Sequence, residues 1–134
     1  MPILFDSQTK TFRLDAGTSS YVFCVDPNGF LLHLYYGAKI SDTDLSYLLP
    51  AGSWNSFSPC AADAGSFCFD NFPLEYPAYG AGDYRVAALS IQGENGCAST
   101  LIRYKGHAIR QGKYALAGLP AVYAAPEEGV ETLD

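Results

Sequence analysis

A short turn between two apolar runs constrains the fold of this chain more than any other feature of its sequence. The turn is Asp26-Pro27-Asn28-Gly29, in which proline presets φ and the Asn-Gly pair tolerates positive φ. Residues 21–25 before the turn and 30–36 after it are almost entirely apolar or aromatic. Two such runs around a turn of this length predict a β-hairpin.

The same alternation of apolar runs and turn residues extends along the chain and predicts an all-β fold, an antiparallel β-sandwich. Thirteen glycines and eight prolines supply turns, and ten tyrosines with eight phenylalanines favour pleated, half-buried surfaces over packed helices. Besides the hairpin, the predicted strands are 3–5, 11–14, 66–69, 86–91 with its return 98–104, 107–110, 119–123 and a strand that opens at 132–133.

Three segments interrupt this regularity. Residues 45–49 are predicted to form a short helical turn, which residues 41–44 cap and Pro50 closes. Residues 51–65 are predicted to form a long loop, and a loop of this length is usually functional or at an interface. Residues 71–85 hold prolines and glycines among aromatic residues, and are predicted to form an ordered but irregular crossing.

Length and charge narrow the functional class. The 134 residues fit a single domain, 1–134, and are too few for a barrel with its own catalytic machinery. The net charge is −6 and the eight lysines and arginines are scattered singly, so no basic stripe is available for nucleic acid or for an anionic membrane surface. A neutral ligand such as a sugar is compatible with this balance.

The start of the chain and its cysteines predict a cytoplasmic protein. The first residues lack the basic region of a secretory signal, and no apolar segment approaches transmembrane length. Cys24, Cys60, Cys68 and Cys97 lack the paired spacing of a zinc site, so we expect free thiols and no bound metal. Cys60 and Cys68 are the pair best placed to form a disulfide under oxidising conditions.

Nucleophilic and nucleotide chemistry have little support in the sequence. The two histidines, His33 and His107, have no Ser or Cys nucleophile motif beside them. No phosphate-cradling glycine loop follows a strand and opens a helix. Both histidines are therefore interpreted as structural or surface residues.

A cluster of acidic residues and tyrosines at 75–85 allows two interpretations. Asp70, Glu75 and Asp83 lie near tyrosines, and two acids in such surroundings are compatible with the paired carboxylates of a glycoside hydrolase. A structural role is favoured, because Arg85 is able to neutralise either carboxylate. We therefore expect Glu75, Asp83 and Arg85 to form one network that fixes the crossing segment, with Tyr76 and Tyr79 on an interaction surface.

The same region carries a family resemblance. The run Leu74-Glu75-Tyr76-Pro77-Ala78-Tyr79-Gly80-Ala81-Gly82-Asp83-Tyr84-Arg85 resembles the EYPxYGxGD[FY]R signature in the N-terminal domain of bacterial-type α-galactosidases of glycoside hydrolase family 36. Further segments that look like the family, in the family's order, are 1–5, 31–37, 57–59, 118–121 with Tyr123, and 131–133.

The resemblance implies a fold and an activity for the whole protein. Members carry an N-terminal β-supersandwich of the galactose-mutarotase type, a (β/α)8 barrel with two catalytic aspartates, and a C-terminal β-sheet domain. They release terminal α-1,6-linked galactose from melibiose and raffinose-type sugars with retention of configuration. This chain would be the first part of the supersandwich. It would then contain no catalytic residue, no cofactor and no metal, and would be inactive alone.

The resemblance also implies a contact with substrate across subunits. In tetrameric members, an N-terminal loop of one subunit supplies an Asp and an Arg to a neighbour's active site. By register those positions fall at Ser53 and Gly65, and neither residue matches. Trp54 is able to stack on a sugar face there, although an interface anchor is the favoured role for this tryptophan.

The preferred interpretation is thus an accessory domain of an α-galactosidase. Its expected partners are its own catalytic barrel, neighbouring subunits of a homo-oligomer, and the α-galactoside substrate of the whole enzyme. The chain ends inside a strand-like run, which favours a longer natural protein, and a half-sandwich is expected to expose an apolar patch. The alternative is a stand-alone carbohydrate- or protein-binding β-sandwich.

Overall fold

In the described part of the chain, four strands form one antiparallel sheet in chain order, and two more form a small second sheet. The computed structural model describes residues 2–41, 44–50, 68–69, 71–80, 83–121, 123–125 and 128–134. The large sheet contains β1 (Ile3–Asp6), β2 (Thr11–Ala16), β3 (Ser19–Val25) and β4 (Leu31–Ala38). The small sheet pairs β5 (Ile109–Gln111) with β6 (Glu131–Leu133). The all-β class is confirmed, with a 3₁₀ turn at Ser46–Leu48.

Local turn chemistry closes the predicted hairpin, which is confirmed as β3 and β4. The Asp26 carboxylate accepts hydrogen bonds from the backbone N–H of Phe30 at 2.6 Å and from the Asn28 side chain at 2.8 Å. Gly29 has φ +86°, a conformation that glycine adopts without strain. The reversal is therefore encoded within five consecutive residues.

The pairing of β3 with β4 contains a bulge that sets which residues share a face. Val22 is opposite Tyr35, whereas the next residue, Phe23, is opposite His33, so Leu34 is the extra residue on β4. A bulge of this kind leaves two residues of one strand opposite one residue of the other. As a result, His33 lies beside Tyr21 and Phe23 on one face of the sheet.

The two faces of the large sheet differ in their packing. One face holds the aliphatic core, in which the buried residues are Val22, Cys24, Phe30, Leu32, Leu34, Leu45 and Phe69. The other face carries a row of rings: the centroids of Phe5 and Phe12 are 4.5 Å apart, and those of Phe12 and Phe23 are 4.9 Å apart. His107 packs edge-on against Phe12 at 4.8 Å. The row therefore has an aromatic neighbour from the C-terminal half of the chain.

A buried polar cluster anchors the segment that leaves β4. Ser20 Oγ donates to Asp15 Oδ1 at 2.7 Å and accepts from the backbone N–H of Ile40 at 3.2 Å. Arg13 Nη1 donates to the carbonyl of Ser41 at 2.7 Å. Because buried polar groups cost free energy when unpaired, these contacts fix residues 40–41 against β2 and β3.

Several predicted strands in the second half are wrong. The described residues at 68–69, 86–91, 98–104 and 119–121 form no strand, and the 107–110 strand begins only at Ile109. Backbone groups of 98–104 instead bond elsewhere: Thr100 N–H donates to the Tyr79 carbonyl and Tyr104 N–H to the Gly29 carbonyl. Distant segments thus provide hydrogen bonds that the local pattern assigned to a hairpin. The 51–65 loop, Ser66 and Phe67 lie outside the described residues.

The structure describes three of the four cysteines. Cys24 is a buried free thiol and Cys97 an exposed one, Cys68 is buried, and Cys60 lies outside the described residues. Burial, and then the nearby charge of Asp26, raise the pKa of Cys24 to about 11, so little of it is thiolate at neutral pH.

Among the described residues, no helix has the length and apolar character needed to span a membrane.

Glu131 connects the two sheets. Its carboxylate accepts hydrogen bonds from the backbone N–H of Ile3 in β1 and from the Gln111 side chain in β5, both at 2.6 Å. The bond from Ile3, followed by the bond from Gln111, lowers the pKa of Glu131 below its usual 4.5. The ionised form is therefore the one that holds the sheets together.

We expect Leu32→Ala to lower the free energy of unfolding by about 2–5 kcal/mol, because Leu32 is fully buried and the change leaves a cavity. Leu119→Ala is the matched control: its side chain is 60% exposed, and a change within about 0.5 kcal/mol is expected. Urea unfolding measures both. Equal losses in the two variants would contradict the placement of the core.

A pH series tests Glu131. A carboxylate whose pKa is lower in the folded chain adds stability above its unfolded pKa, and this contribution is lost as the pH falls through the folded value. Below about pH 4.5, the native chain should therefore lose stability more steeply than Glu131→Gln. Glu94→Gln, at an exposed turn residue, should follow the native curve. Parallel curves for native chain and Glu131→Gln would refute the contact.

Candidate functional site

The crossing segment is held by one arginine that points inward. Arg85 Nε lies 3.0 Å from Asp83 Oδ1, and Arg85 Nη2 lies 3.1 Å from Asp83 Oδ2, which is a bidentate pair. The Asp83 side chain is buried and that of Arg85 is half-buried. Two-point pairing of this kind fixes orientation as well as distance.

The same guanidinium also satisfies backbone carbonyls. Arg85 Nη1 donates to the carbonyl of Phe72 at 2.6 Å, and Nη2 donates to the carbonyl of Phe69 at 2.5 Å. The prolines and glycines of this segment prevent a regular ladder, so these carbonyls need another donor. Arg85 thereby joins three stretches of chain: 68–69, 71–80 and its own.

Glu75 belongs to a different cluster, which corrects the expected three-residue network. Its carboxylate accepts a hydrogen bond from the hydroxyl of Tyr21, and its Oε1 lies 3.0 Å from His33 Nδ1. An ionised carboxylate accepts only, so Nδ1–H of His33 is the donor in this pair. Burial, and then the bond to Glu75, raise the pKa of Tyr21 well above its usual range, so the hydroxyl stays protonated. Among the described contacts of Glu75, none is to Arg85.

The segment is also tied to β4 through its backbone. His33 N–H donates to the Pro73 carbonyl at 2.7 Å, and Glu75 N–H donates to the Leu31 carbonyl at 2.9 Å. Leu74 forms an antiparallel bridge with Leu32 between these bonds. Backbone and side-chain contacts at Glu75 therefore fix the same point of the segment to the sheet.

The tyrosines of the segment point to solvent. Tyr76, Tyr79 and Tyr84 are 55%, 64% and 83% exposed, and Val86, which follows Arg85, is 92% exposed. On most protein surfaces the charged side chains point to solvent. In this segment the charged side chains point inward and the aromatic ones are exposed. Such a surface suits contact with an uncharged partner.

Two clefts flank the segment, and they separate its carboxylates. Asp83 lines a cleft of about 240 Å³ together with Leu74, Leu89 and residues 100–104. Glu75 lines another of about 350 Å³, together with the aromatic face of the sheet. A retaining glycosidase needs its two carboxylates across one bond, roughly 5–5.5 Å apart. The two carboxylates line different clefts, and each carboxylate is already paired. The arrangement is therefore that of a structural site.

The remaining predicted residues fall into two groups. Trp54, Ser53, Gly65 and Asp70 lie outside the described residues. Within the described part of the chain, no group of three or more His, Cys, Asp or Glu side chains is arranged to hold a metal ion. His107 bonds through Nδ1 to the Tyr104 hydroxyl at 2.7 Å.

The sequence pattern missed Tyr21 and His33 as partners of Glu75. Both lie in the predicted hairpin, where Tyr21 and Phe23 share one face of β3 because they are two residues apart. His33 joins that face only because of the bulge at Leu34, for which the apolar run gives no signal.

Substitutions of Arg85 distinguish what its charge contributes to stability from what the geometry of its guanidinium contributes. Arg85→Ala leaves the buried Asp83 unpaired, and a loss of about 3–5 kcal/mol of unfolding free energy is expected. Arg85→Lys keeps the charge but not the fork, so only part of the loss should be recovered. Arg110→Ala removes an ion pair with Asp134 at a 65% exposed side chain, and should cost less than about 1 kcal/mol. A calorimetric series in which Arg85→Lys matched the native chain would contradict the bidentate role.

Comparison with a family model gives a match over most of the chain. Residues 29–134 match the glycosyl hydrolase family 36 N-terminal domain. This range includes β4, the whole of the crossing segment and the residues of the C-terminal half that line the two clefts.

Curated relatives align with the chain from end to end. The bifunctional α-galactosidase/sucrose kinase AgaSK of Mediterraneibacter gnavus is 42% identical over 100% of this chain and 14% of its own length. The α-galactosidase AgaA of Geobacillus stearothermophilus is 40% identical over 100% of this chain and 18% of its own length. The chain therefore spans less than one fifth of these relatives.

Solved structures show the same fold. The family 36 α-galactosidase AgaB of Geobacillus stearothermophilus superimposes with a TM-score of 0.84 at 42% identity, over 99% of this chain and 18% of that one. The galactosidase domain of AgaSK gives 0.86 at 39% identity, over 98% and 18%. Sequence and structure agree that this chain belongs to glycosyl hydrolase family 36, whose N-terminal domain it carries.

Proposed function

We propose that this chain is the N-terminal domain of an α-galactosidase that removes terminal α-1,6-linked galactose from melibiose and raffinose-type oligosaccharides. The observation that carries the proposal is the end-to-end alignment with two α-galactosidases at 40% and 42% identity, of which the chain spans only 18% and 14%. The catalytic residues then lie in the remainder of the enzyme.

The substrate class is supported by relatives with bound sugars. Variants of AgaA from Geobacillus stearothermophilus, 41% identical to this chain, have been solved in complex with raffinose and with stachyose. The proposal extends this class to the parent enzyme of the present chain. It assigns no catalytic step to Glu75 or Asp83, because each carboxylate is already paired and the two face different clefts.

Within that enzyme we propose an accessory role. The domain supports the rim of the active site and the assembly of subunits, and its partners are the catalytic barrel, neighbouring subunits and the α-galactoside substrate. The exposed aromatic and aliphatic side chains of residues 76–91 support a role in contacts. Trp54 and Ser53 are proposed to lie near the sugar bound by a neighbouring subunit. A cytoplasmic location is proposed, supported by the free thiols Cys24 and Cys97.

A chimera tests the function. This chain replaces the 18% of AgaA that aligns with it, and hydrolysis of raffinose is measured against native AgaA and against AgaA without that segment. The chimera should be active, whereas the shortened enzyme should lose activity on the order of 10²-fold or more, because misplacing active-site groups by about 1 Å costs that much. The isolated chain should show no turnover of a chromogenic α-galactoside.

Two outcomes would overturn this proposal. Turnover by the isolated chain that disappears in Glu75→Gln or Asp83→Asn would make the chain itself catalytic. A chimera that is folded but inactive, with an isolated chain that binds sugar, would favour the stand-alone carbohydrate-binding module.

A further inference from the structure

The outer surface of the crossing segment and the residues after it form a ridge without charge. From Tyr76 to Gly93 the sequence contains only two charged residues, Asp83 and Arg85, and these pair with each other. The chain as a whole is 16% charged with a net charge of −6. The neutrality of this stretch is therefore local. We define the tyrosine ridge as Tyr79, Tyr84, Val86 and Leu89.

The tyrosine ridge stands on an ordered backbone. Asp83 bridges Gly80, and Ala78 bridges Leu89, so the backbones that carry the ridge lie side by side. Ala88 N–H donates to the Pro77 carbonyl at 2.8 Å, and the inward-pointing Arg85 side chain holds the segment through its bond to the Phe72 carbonyl. Exposed rings on a fixed backbone lose little conformational freedom when a partner covers them, which favours binding.

A close approach of two chain segments adds to this order. Gly80 has φ +94°, and a Cβ at this position would lie 2.9 Å from Cα of Ser99. Thr100 N–H donates to the carbonyl of Tyr79 at 2.9 Å beside this contact. The segment at 99–100 therefore supports the ridge at Tyr79, at a distance that only glycine allows.

We propose that the tyrosine ridge is the surface against which the remainder of the same enzyme, the part that lies outside this chain, packs. This inference rests on the proposed function. It names one occupant because the aligned relatives are more than five times the length of this chain, so most of the enzyme lies outside it. Tyrosine is among the residues enriched at the energetic centre of interfaces, and the missing charge excludes a partner selected by ionic contacts.

The shape of the surface argues against a sugar as the occupant. Small ligands bind in concave sites that bury most of their surface. Tyr84 and Val86 are 83% and 92% exposed and line neither cleft. An exposed, uncharged aromatic surface fits a protein partner, and the apolar cleft that Leu89 lines together with Leu101 is able to receive side chains of the same partner.

Tyrosine nitration in the AgaA chimera tests this surface without relying on activity. Tyr84 and Tyr123 are 83% and 82% exposed in this chain, so Tyr123 is the matched control outside the ridge. With rates normalised to the unfolded chimera, Tyr84 should react with tetranitromethane on the order of tenfold more slowly than Tyr123, because residues at an interface centre are fully desolvated. Mass spectrometry of the peptides gives both rates.

Substitution gives a second measurement. Tyr84→Ser combined with Val86→Ser should lower the melting temperature of the chimera, whereas Tyr123→Ser should leave it unchanged. Equal nitration of Tyr84 and Tyr123 would overturn the proposal even if the chimera hydrolysed raffinose. Protection of Tyr84 that disappears on dilution would overturn it in favour of a second copy, and protection that requires raffinose would overturn it in favour of a sugar site. An inactive chimera with Tyr84 protected would remove the activity assignment and support the docking surface.

Discussion

The path of the crossing segment depends on one guanidinium group. Arg85 pairs at two points with the buried Asp83 and donates to the carbonyls of Phe69 and Phe72. Among the described residues of the segment that it holds, none belongs to a strand, and isolated bridges and side-chain contacts position them instead. Because the guanidinium is planar and always charged, it sets both distances and directions in this segment. The backbone that carries Tyr84, between Asp83 and Arg85, is held by that geometry.

Local chemistry explains which parts of the fold the sequence predicts. The hairpin of β3 and β4 is recovered because Asp26, Asn28 and Gly29 form the turn among themselves. The strands assigned to 86–91 and 98–104 are wrong because their backbone groups bond to distant residues, among them Tyr79 and Gly29. An apolar run reports that a segment is extended and half-buried, but not which segment lies beside it.

The candidate site shows the same limit at the level of side chains. The pairing of Asp83 with Arg85, two residues apart, was one of the alternatives visible in the sequence. The partners of Glu75 are Tyr21 and His33, which are distant in sequence, and only strand register places them together. Both carboxylates of the family signature are thus occupied within the domain. The role that we propose for the segment in the whole enzyme therefore rests on its shape and its uncharged surface rather than on its carboxylates.

The bulge at Leu34 has a consequence for how this strand tolerates changes in length. If β4 continued in the register of Val22 and Tyr35, Phe23 would lie opposite Leu34, and His33 would turn towards the aliphatic core beside Cys24. The extra residue is what keeps Leu32 in the core and His33 beside Glu75. Loss of one residue on the Gly29 side of the bulge would exchange these two faces, whereas loss of Leu34 itself would restore an unbroken ladder and preserve both. In related sequences of this domain, single-residue gaps in this strand should therefore cluster at the bulge.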